Sequence, residues 1–242
     1  MEYVSELGLD SGLTAVVGAG GKKSTMYAAA PAIDRAVVTT AVRIPPFEES
    51  VAELHETTDP LAALENVKDW PVGLVPRYEE NRYLGYDFDT IASIADSPIP
   101  DAVLVKADGA RNREFKAPGT DEPKIPPAAD RVLGIVSTQV VGQPLTEEYV
   151  HRVERVAELT GLSRGDSITT EAVATVLSSE DGTEKNVPES AEYIPVLNKV
   201  DDESALETAR EIAAIVLERS RADRVALTQL LDRPEPLVEL RD

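Results

Sequence analysis

The amino-acid sequence predicts an α/β domain in which helices flank a mostly parallel β-sheet. Short apolar runs of strand length alternate along the chain with segments of helical periodicity, and this alternation is typical of parallel strands joined by helices. Polar residues directly follow several apolar runs, at the end of the sheet where open α/β folds bind ligands. A chain of 242 residues suits one large domain or two small ones, and it can bury about three quarters of its unfolded surface. We expect one domain over residues 1–242, with excursions near 45–100 and 138–190.

The strands are predicted from short apolar or β-branched runs. The first run leads into a glycine-rich turn, and the run at 102–108 ends in a carboxylate. Such runs, bounded by turn residues, are typical of strands buried on both faces. The predicted strands are residues 12–17, 36–40, 72–75, 102–108, 131–137, 193–197, 223–227 and 237–240.

The helices are predicted from apolar periodicity and from end signals. Pro31 ends the first helix, Thr146 is the expected N-cap of the third, and Gly161 lies beyond its end. Thr169 or Thr170 caps the fourth, and the last has the clearest apolar stripe. The predicted helices are residues 23–30, 88–95, 145–159, 168–177 and 204–219.

Two segments, 45–59 and 77–89, are rich in Pro, Glu and Tyr and have no clear period. We expect them to form excursions with short helices, in which the tyrosines pack. The two histidines, His55 and His151, stand among helix-like residues and are expected to have surface or capping roles rather than to bind a metal.

The composition narrows the classes of partner and environment. The net charge of −20 would repel polyphosphate, which argues against nucleic acid or an anionic membrane as a partner. An acidic, lysine-poor surface favours a salt-rich cytoplasm, where charge repulsion is screened. The absence of cysteine excludes disulfides, iron–sulfur clusters and thiolate zinc sites within this chain. No stretch approaches 18 apolar residues, and the first ten residues lack a basic, apolar leader, so we expect a cytoplasmic protein without a membrane span.

The most informative stretch is VVGAGGKKST at residues 16–25. A strand that stops at glycines and restarts as a helix leaves backbone N–H groups unpaired, and with a lysine these groups form a phosphate cradle. The sequence therefore predicts nucleotide binding. The cradle residues are Gly18, Ala19, Gly20, Gly21, Lys22, Lys23, Ser24 and Thr25.

The sequence of this stretch departs from the phosphate-loop pattern G-x-x-x-x-G-K-[ST]. If Gly21 and Lys22 are the G-K of this pattern, Val16 occupies the position of its first glycine, and Lys23 occupies the position of the Ser or Thr that binds the metal. In a second register Lys23 and Ser24 form the pair, and Lys22 replaces the glycine. A purely structural glycine turn is the alternative to a phosphate site.

A second motif, NKVD, covers Asn198, Lys199, Val200 and Asp201 directly after an apolar run. N-K-x-D after a strand is typical of GTP-binding proteins, in which the carboxylate accepts hydrogen bonds from guanine and the lysine packs along the base. The alternative is a strand-to-helix turn in which Asp201 or Asp202 caps the following helix.

Further candidates stand at the ends of two other strands. Asp108 follows a buried run, as the Mg²⁺-binding acid of nucleotide hydrolases does, although an Asp-Gly turn explains the same residues. Arg111, Arg113 and Lys116 come close behind and could face a phosphate or an anionic substrate. Thr40 ends another strand, where its hydroxyl could reach a terminal phosphate or its metal, or could simply be a β-branched strand residue.

These motifs together resemble the YqeC family of selenium-dependent hydroxylase accessory proteins. The distinctive core of the resemblance is the segment KADGARNREFKAP, and the similarity spans most of the chain. Its parts are GAGGKKS from Gly18, Thr39-Thr40, residues 106–118, EPKIP at 122–126, VLGIVSTQVVGQP at 132–144, His151-Arg152, residues 160–177 and NKVD at 198–201.

The resemblance implies a P-loop NTPase-like three-layer architecture and a role in the maturation of selenium-dependent molybdenum hydroxylases. A partner would then be such a hydroxylase or its cofactor-delivery machinery. Two positions depart from the family pattern. Lys23 replaces a threonine after GGK, and Lys106 replaces a glutamate before ADG, which puts hydrolysis in doubt.

Two functions therefore remain open. One is a GTP-binding or ATP-binding enzyme or switch, in which residues 18–25 hold the phosphates, Ser24 and Asp108 bind Mg²⁺, and Asp108 and Thr40 are the catalytic candidates. The other is a non-hydrolysing carrier or chaperone that uses the same cradle for a phosphate-bearing ligand such as a molybdenum cofactor. The two ammonium groups of Lys23 and Lys106 would repel a divalent cation and could neutralise polyphosphate directly; alternatively, both point to solvent.

Overall fold

The computed structural model describes residues 2–230 and 235–242. These residues form helices that surround a nine-stranded sheet, with two short two-stranded sheets beside it. The strands are β1 (Gly12–Gly18), β2 (Ala36–Thr40), β3 (Glu53–Glu56), β4 (Val72–Val75), β5 (Tyr78–Glu79), β6 (Arg82–Tyr83), β7 (Ala102–Lys106), β8 (Phe115–Lys116), β9 (Arg131–Ser137), β10 (Val150–His151), β11 (Glu192–Asn198), β12 (Val225–Thr228) and β13 (Leu237–Arg241). The α-helices are α1 (Glu2–Glu6), α2 (Lys22–Ala29), α3 (Pro60–Leu64), α4 (Phe88–Asp96), α5 (Val153–Thr160), α6 (Thr170–Leu177) and α7 (Glu203–Arg219).

The large sheet has the strand order β13-β12-β11-β9-β1-β7-β2-β4-β3. Every neighbouring pair is parallel except β12 with β13. The central strand β1 lies between β7 and β9, and Val16 is in register with both Lys106 and Leu133. Because parallel strands end at the same edge, the residues after β1, β2, β7 and β11 meet there.

Helices cover the sheet on both faces, so the predicted α/β three-layer fold is confirmed. On one face Val16 and Leu133 pack with Met26 of α2 and with Tyr3 of α1. On the other face, strand residues from β1, β7, β9 and β11 pack against apolar side chains of α4, α6 and α7. This two-sided burial explains why the strands are continuous apolar runs rather than alternating ones.

The predicted helix at 145–159 is wrong in its first half. Thr146 begins a turn in which its carbonyl accepts the N–H groups of Tyr149 and Val150, and β10 then pairs with β8. Arg152 has a left-handed backbone with φ of 66°, so the helix starts only at Val153. The apolar pattern reflected burial of Val150 and Val153 on separate elements rather than one continuous helical face.

The expected excursion at 45–59 also contains a strand that the sequence pattern missed. Residues 48–50 form one 3₁₀ turn, and β3 then pairs with β4 at the edge of the sheet. His55 lies on β3 and His151 on β10, so neither occupies a helix as their neighbours suggested. The expected packing of the tyrosines holds for Tyr83, whose ring lies 5.9 Å from that of Phe47 in an edge-on contact.

Across residues 2–230 and 235–242, the helices are too short or too polar for any of them to cross a membrane.

Candidate functional site

A cleft of about 1350 Å³ opens at the carboxyl ends of the central strands. It is lined by residues of the glycine-rich stretch, by residues after β2, β7 and β9, and by the NKVD motif. The topology therefore brings together two motifs that lie more than 170 residues apart in the sequence. The lining residues are Gly20–Ser24, Val42, Arg43, Pro45, Glu80, Arg82, Lys106, Gly109–Glu114, Glu122, Gln139, Asn198, Lys199, Asp201, Gln229 and Leu230.

Close packing of the loop between β1 and α2 requires its glycines. Gly18, Gly20 and Gly21 have φ values of 94°, 79° and 155°, which L side chains rarely adopt. A Cβ on Gly18 would lie 2.1 Å from the carbonyl oxygen of Ile135, and a Cβ on Gly20 would lie 2.5 Å from the Cβ of Ser137. A side chain at either position would therefore displace β9 from the loop.

The backbone N–H groups of this loop divide into two sets. Gly18, Ala19 and Gly20 donate to Asp108 Oδ2, the Ile135 carbonyl and the Arg113 carbonyl at 2.9, 2.8 and 3.1 Å. In contrast, the N–H groups of residues 21–24 have no acceptor among the described residues, and all four residues line the cleft. Of the residues 18–25 predicted to form a phosphate cradle, residues 21–24 at the N-terminus of α2 therefore have N–H groups available to an anion, which the helix dipole would also favour.

The side chains at this helix end point in different directions. Gly21 precedes α2 without supplying a side-chain cap, and Lys23 and Ser24 are partly exposed in the cleft. The buried Thr25 hydroxyl donates to the Gly21 carbonyl at 3.1 Å and does not reach the cleft. The helix α2 begins at Lys22, directly after Gly21.

Asp108 is buried beneath the loop and is held by two lysines. Lys22 donates to the Gly18 carbonyl and lies 3.0 Å from Asp108 Oδ1. Lys116 lies 2.8 Å from Asp108 Oδ2, which also accepts the Gly18 N–H. Burial by itself would raise the pKa of the Asp108 carboxyl, but the two ammonium groups lower it to about 2. Burial lowers the pKa of Lys22, against the attraction of Asp108.

Lys116 faces into the protein rather than into the cleft. Only 1% of its side chain is exposed, and besides Asp108 it donates to the Gly109 carbonyl at 2.7 Å and to Glu122 Oε2 at 2.9 Å. Arg152 pairs with the same Glu122 oxygen at 2.7 Å. Burial raises the pKa of Glu122, and the bonds from Arg152 and Lys116 outweigh it and hold that pKa at about 2. This ion network, formed by Lys22, Asp108, Lys116, Glu122 and Arg152, fixes the loop from behind.

Lys106 and Thr40 lie on the other side of the loop. Lys106 is 6% exposed, lines the cleft, and donates to the Arg43 carbonyl at 3.0 Å. Burial, together with the charge of Lys22, lowers its pKa to about 7. Its burial excludes the alternative in which it points to solvent. The Thr40 hydroxyl is fully buried and is engaged by the backbone, at 2.7 Å from the Val42 carbonyl and 3.0 Å from that of Lys106, so it does not line the cleft.

The NKVD motif is bonded directly to the glycine-rich loop. Asn198 Nδ2 donates to the Gly20 carbonyl at 2.8 Å. Lys199 lies 2.8 Å from Glu114 Oε2, and the exposed Asp201 accepts from Gln139 Nε2 at 2.9 Å. Asp202, not Asp201, caps α7 by accepting the Ala205 N–H at 2.8 Å. Asp201 is therefore not used as a helix cap and lines the cleft.

The cleft is cationic although the chain as a whole is acidic. Eight of its lining residues are basic and four are acidic, whereas the whole chain has a net charge of −20. The predicted Arg111 and Arg113 belong to this lining, while Arg43, Arg82, Gln139 and Gln229 were not predicted. The two glutamines follow β9 and β12, so the rule that selected Asp108, a polar residue after a buried strand, would have found them too.

The carboxylate predicted to bind Mg²⁺ is engaged within the protein. Asp108 is bound by two ammonium groups, and the Thr40 hydroxyl is bonded to the backbone, so neither offers a free oxygen to an ion that binds one or two protein oxygens beside water and phosphate. Of the predicted metal ligands, only the Ser24 hydroxyl lines the cleft. Within the part of the chain that the structure describes, no group of three His, Asp or Glu side chains could hold a metal ion.

Comparison with known proteins places the chain in a family. The family model described as YqeC protein matches residues 14–154. A curated relative, "Uncharacterized protein YqeC" of Escherichia coli (strain K12), is 27% identical over 120 residues, which cover 50% of this chain and 47% of the relative. The alignment thus spans about half the length of that relative. The matched segment of the family model contains the loop, Asp108 and Lys116, while NKVD lies beyond it. Because this segment covers more than half of the 242 residues, the chain belongs to the YqeC family.

Proposed function

We propose that the cleft binds a guanine nucleotide, with its phosphates at the N-terminus of α2 and its base at NKVD. The observation that carries this proposal is the set of four N–H groups at residues 21–24 that have no acceptor within residues 2–230 and 235–242, joined to NKVD by the bond from Asn198 to Gly20. Such N–H groups in a cationic cleft are typical of phosphate sites. The Asn198 bond holds the two motifs at a fixed separation, as a ligand that spans both would need.

The choice of guanine over adenine depends on Lys199 and Asp201. Gln139 holds one oxygen of Asp201 and lies 3.4 Å from the Lys199 ammonium, so both side chains are oriented by the same amide. A carboxylate can accept hydrogen bonds from the N1–H and amino group of guanine, whereas adenine presents an unprotonated N1 there. ATP is the alternative ligand of the same cradle.

The nucleotide is proposed to bind with little need for Mg²⁺ and to be hydrolysed slowly or not at all. Lys22 and Lys116 occupy the Asp108 carboxylate that would hold the ion, and Lys23 lines the cleft where the loop pattern has a hydroxyl. Ammonium groups neutralise phosphate oxygens directly through charge-assisted hydrogen bonds. The lysine side chains would therefore neutralise part of the phosphate charge that Mg²⁺ otherwise neutralises.

The test is calorimetry with GTP and ATP, in excess Mg²⁺ and in EDTA, together with a turnover assay. The wild type should prefer GTP and should keep its affinity in EDTA within a factor of about ten. The double variant Lys23→Thr, Lys106→Glu should gain metal dependence, and the exposed Lys68→Met should behave as the wild type. Equal affinity for ATP and GTP would refute the guanine assignment. Collapse of the wild-type affinity in EDTA, or wild-type turnover that matches the double variant, would refute metal independence.

At the level of the cell, we propose a role in the maturation of selenium-dependent molybdenum hydroxylases, carried over from the family resemblance. A non-hydrolysing carrier for a phosphate-bearing cofactor such as a molybdenum cofactor is the second candidate, and the neutralised Asp108 favours it over a hydrolase. Native mass spectrometry of the protein with its co-purified ligand separates the nucleotide-binding protein from the cofactor carrier. A bound guanine nucleotide supports nucleotide binding, and a bound pterin phosphate supports the carrier.

A further inference from the structure

We propose that the half of the cleft away from NKVD binds a second, phosphate-bearing ligand beside the nucleotide. This cationic half is defined by three residues: Lys106 at the end of β7, Arg43 after β2, whose carbonyl Lys106 contacts, and Arg82, whose neighbour Tyr83 bridges to Ile44. The inference rests on the proposed function only for the position of the nucleotide. The cleft holds about 1350 Å³, whereas sites for one small molecule typically hold about 300–1000 Å³, so one nucleotide leaves room for another molecule.

The two halves of the cleft differ in chemistry. The NKVD side carries neutral Asn and Gln amides, and its Lys199 is paired with Glu114 at 2.8 Å. In the cationic half, Arg43 is paired with Glu79 and Glu80 at 3.1 and 2.9 Å. No carboxylate in the described part of the chain pairs with Arg82 or Lys106. Arg82 is exposed, whereas Lys106 is buried at the wall of the cleft, and a buried cation without a carboxylate partner among the described residues points to an anionic occupant.

Lys106 is the least expected of the cations in this half. A buried ammonium is costly unless it is paired, yet this one, 6% exposed, donates one of its three hydrogens to the Arg43 carbonyl. Lys106 lines the cleft, so a ligand there can accept the hydrogens that the Arg43 carbonyl does not. A phosphate dianion would supply both the acceptors and the counter-charge that Lys106 lacks.

The position of the cationic half follows from the sheet order. β7 lies on one side of β1, whereas β9 and β11 lie on the other. A nucleotide with its base at Asp201 and its phosphates at residues 21–24 therefore presents its terminal phosphate toward Lys106. The second ligand would lie next to that phosphate. Arg and Lys together suit phosphate, since a guanidinium binds its oxygens in pairs and an ammonium binds as a point charge.

The experiment uses inorganic phosphate as the probe, titrated by calorimetry into protein saturated with GTP, with acetate as a parallel probe for carboxylates. Wild-type protein should bind phosphate and not acetate. Lys106→Met, titrated at a GTP concentration that saturates the variant whatever its GTP affinity, should weaken phosphate binding at least tenfold. Lys68→Met, an exposed lysine outside the cleft, is the matched control and should leave phosphate binding unchanged.

Three results would overturn the inference: phosphate that binds only by displacing GTP, acetate that binds as well as phosphate, or phosphate binding that Lys106→Met leaves unchanged. The same titration without nucleotide separates this inference from the proposed function. If GTP does not bind but Lys106→Met still removes phosphate binding, the proposed function fails and the anion site stands. If GTP binds and phosphate does not, the anion site fails and the proposed function stands.

Discussion

Replacing Lys116 by methionine should destabilise the fold strongly, although Lys116 does not line the cleft. Its ammonium, 1% exposed, donates to Asp108, Glu122 and the Gly109 carbonyl over 2.7–2.9 Å. Removing one partner of a buried ion pair costs about 3–5 kcal/mol, because the other charge remains buried. Here Asp108 keeps Lys22 and the Gly18 N–H, and Glu122 keeps Arg152. We therefore expect the lower end, about 3 kcal/mol.

Urea unfolding at a fixed high KCl concentration measures this loss directly. In a domain of this size about 3 kcal/mol corresponds to a fall in melting temperature of roughly 6–12 °C. Lys68→Met should stay within about 0.5 kcal/mol of the wild type, as surface substitutions do. In the double variant with Asp108→Asn, the two losses should be less than additive, because both changes remove the same contact. A loss below about 1 kcal/mol for Lys116→Met would show that the network does not stabilise the loop.

Three further predictions concern charge. First, the pKa values of Asp108 and Glu122 are about 2 when folded and near 4 when unfolded, so their stabilisation is complete above about pH 5. It should be lost as the pH falls toward 2, by roughly 2 kcal/mol for each carboxylate; acid unfolding curves of Asp108→Asn should be flatter. Second, the melting temperature should rise with KCl from 0.01 to 1 M, as the Debye length shrinks from about 30 to about 3 Å; a flat or falling curve would contradict salt adaptation. Third, Lys106, which faces the charges of Lys22, Asp108, Lys116 and Glu122, has a pKa of about 7, so its contribution to phosphate binding should be lost as the pH rises above 7. Because phosphate ionises in the same range in both proteins, the measurement is the ratio of wild-type to Lys106→Met affinity for phosphate in the presence of GTP, which should fall as the pH rises above 7; a constant ratio would contradict it.

The sequence alone was sufficient for the strands that form the centre of the sheet. The strands predicted at residues 36–40, 72–75 and 131–137 coincide with β2, β4 and β9, and those predicted at 12–17 and 102–108 differ from β1 and β7 only at their carboxyl ends, by two residues at most. Buried parallel strands are short apolar runs, and this signal is local. β3 was missed because Glu53–Glu56 has a polar sequence and joins the sheet only through β4. The break before α5 was missed because it depends on the left-handed backbone of Arg152.

At the site, residue types were predictable but their contacts were not. Asp108 and Asn198 were found because they are polar residues directly after apolar runs, and the loop was found from its glycines. The pattern could not show that Lys116, eight residues after Asp108, returns to bind it, because the intervening turn has irregular backbone with positive φ at Arg111 and Asn112. Nor could it show that Gly18, Ala19 and Gly20 use their N–H groups within the protein. Those contacts depend on neighbouring strands far away in sequence.

The central claim, that NKVD reads a guanine base in this cleft, is tested most directly by changing the base specificity. Calorimetry should compare GTP, ATP and xanthosine triphosphate on wild type and on Asp201→Asn. In the variant, an amide replaces the carboxylate that accepts from guanine, so GTP affinity should fall by about 1–3 kcal/mol, while xanthosine triphosphate, whose ring carries an oxygen in place of the amino group, should bind more tightly than GTP. An Asp201→Asn variant that binds GTP as well as the wild type does, with no gain for xanthosine triphosphate, would contradict the assignment.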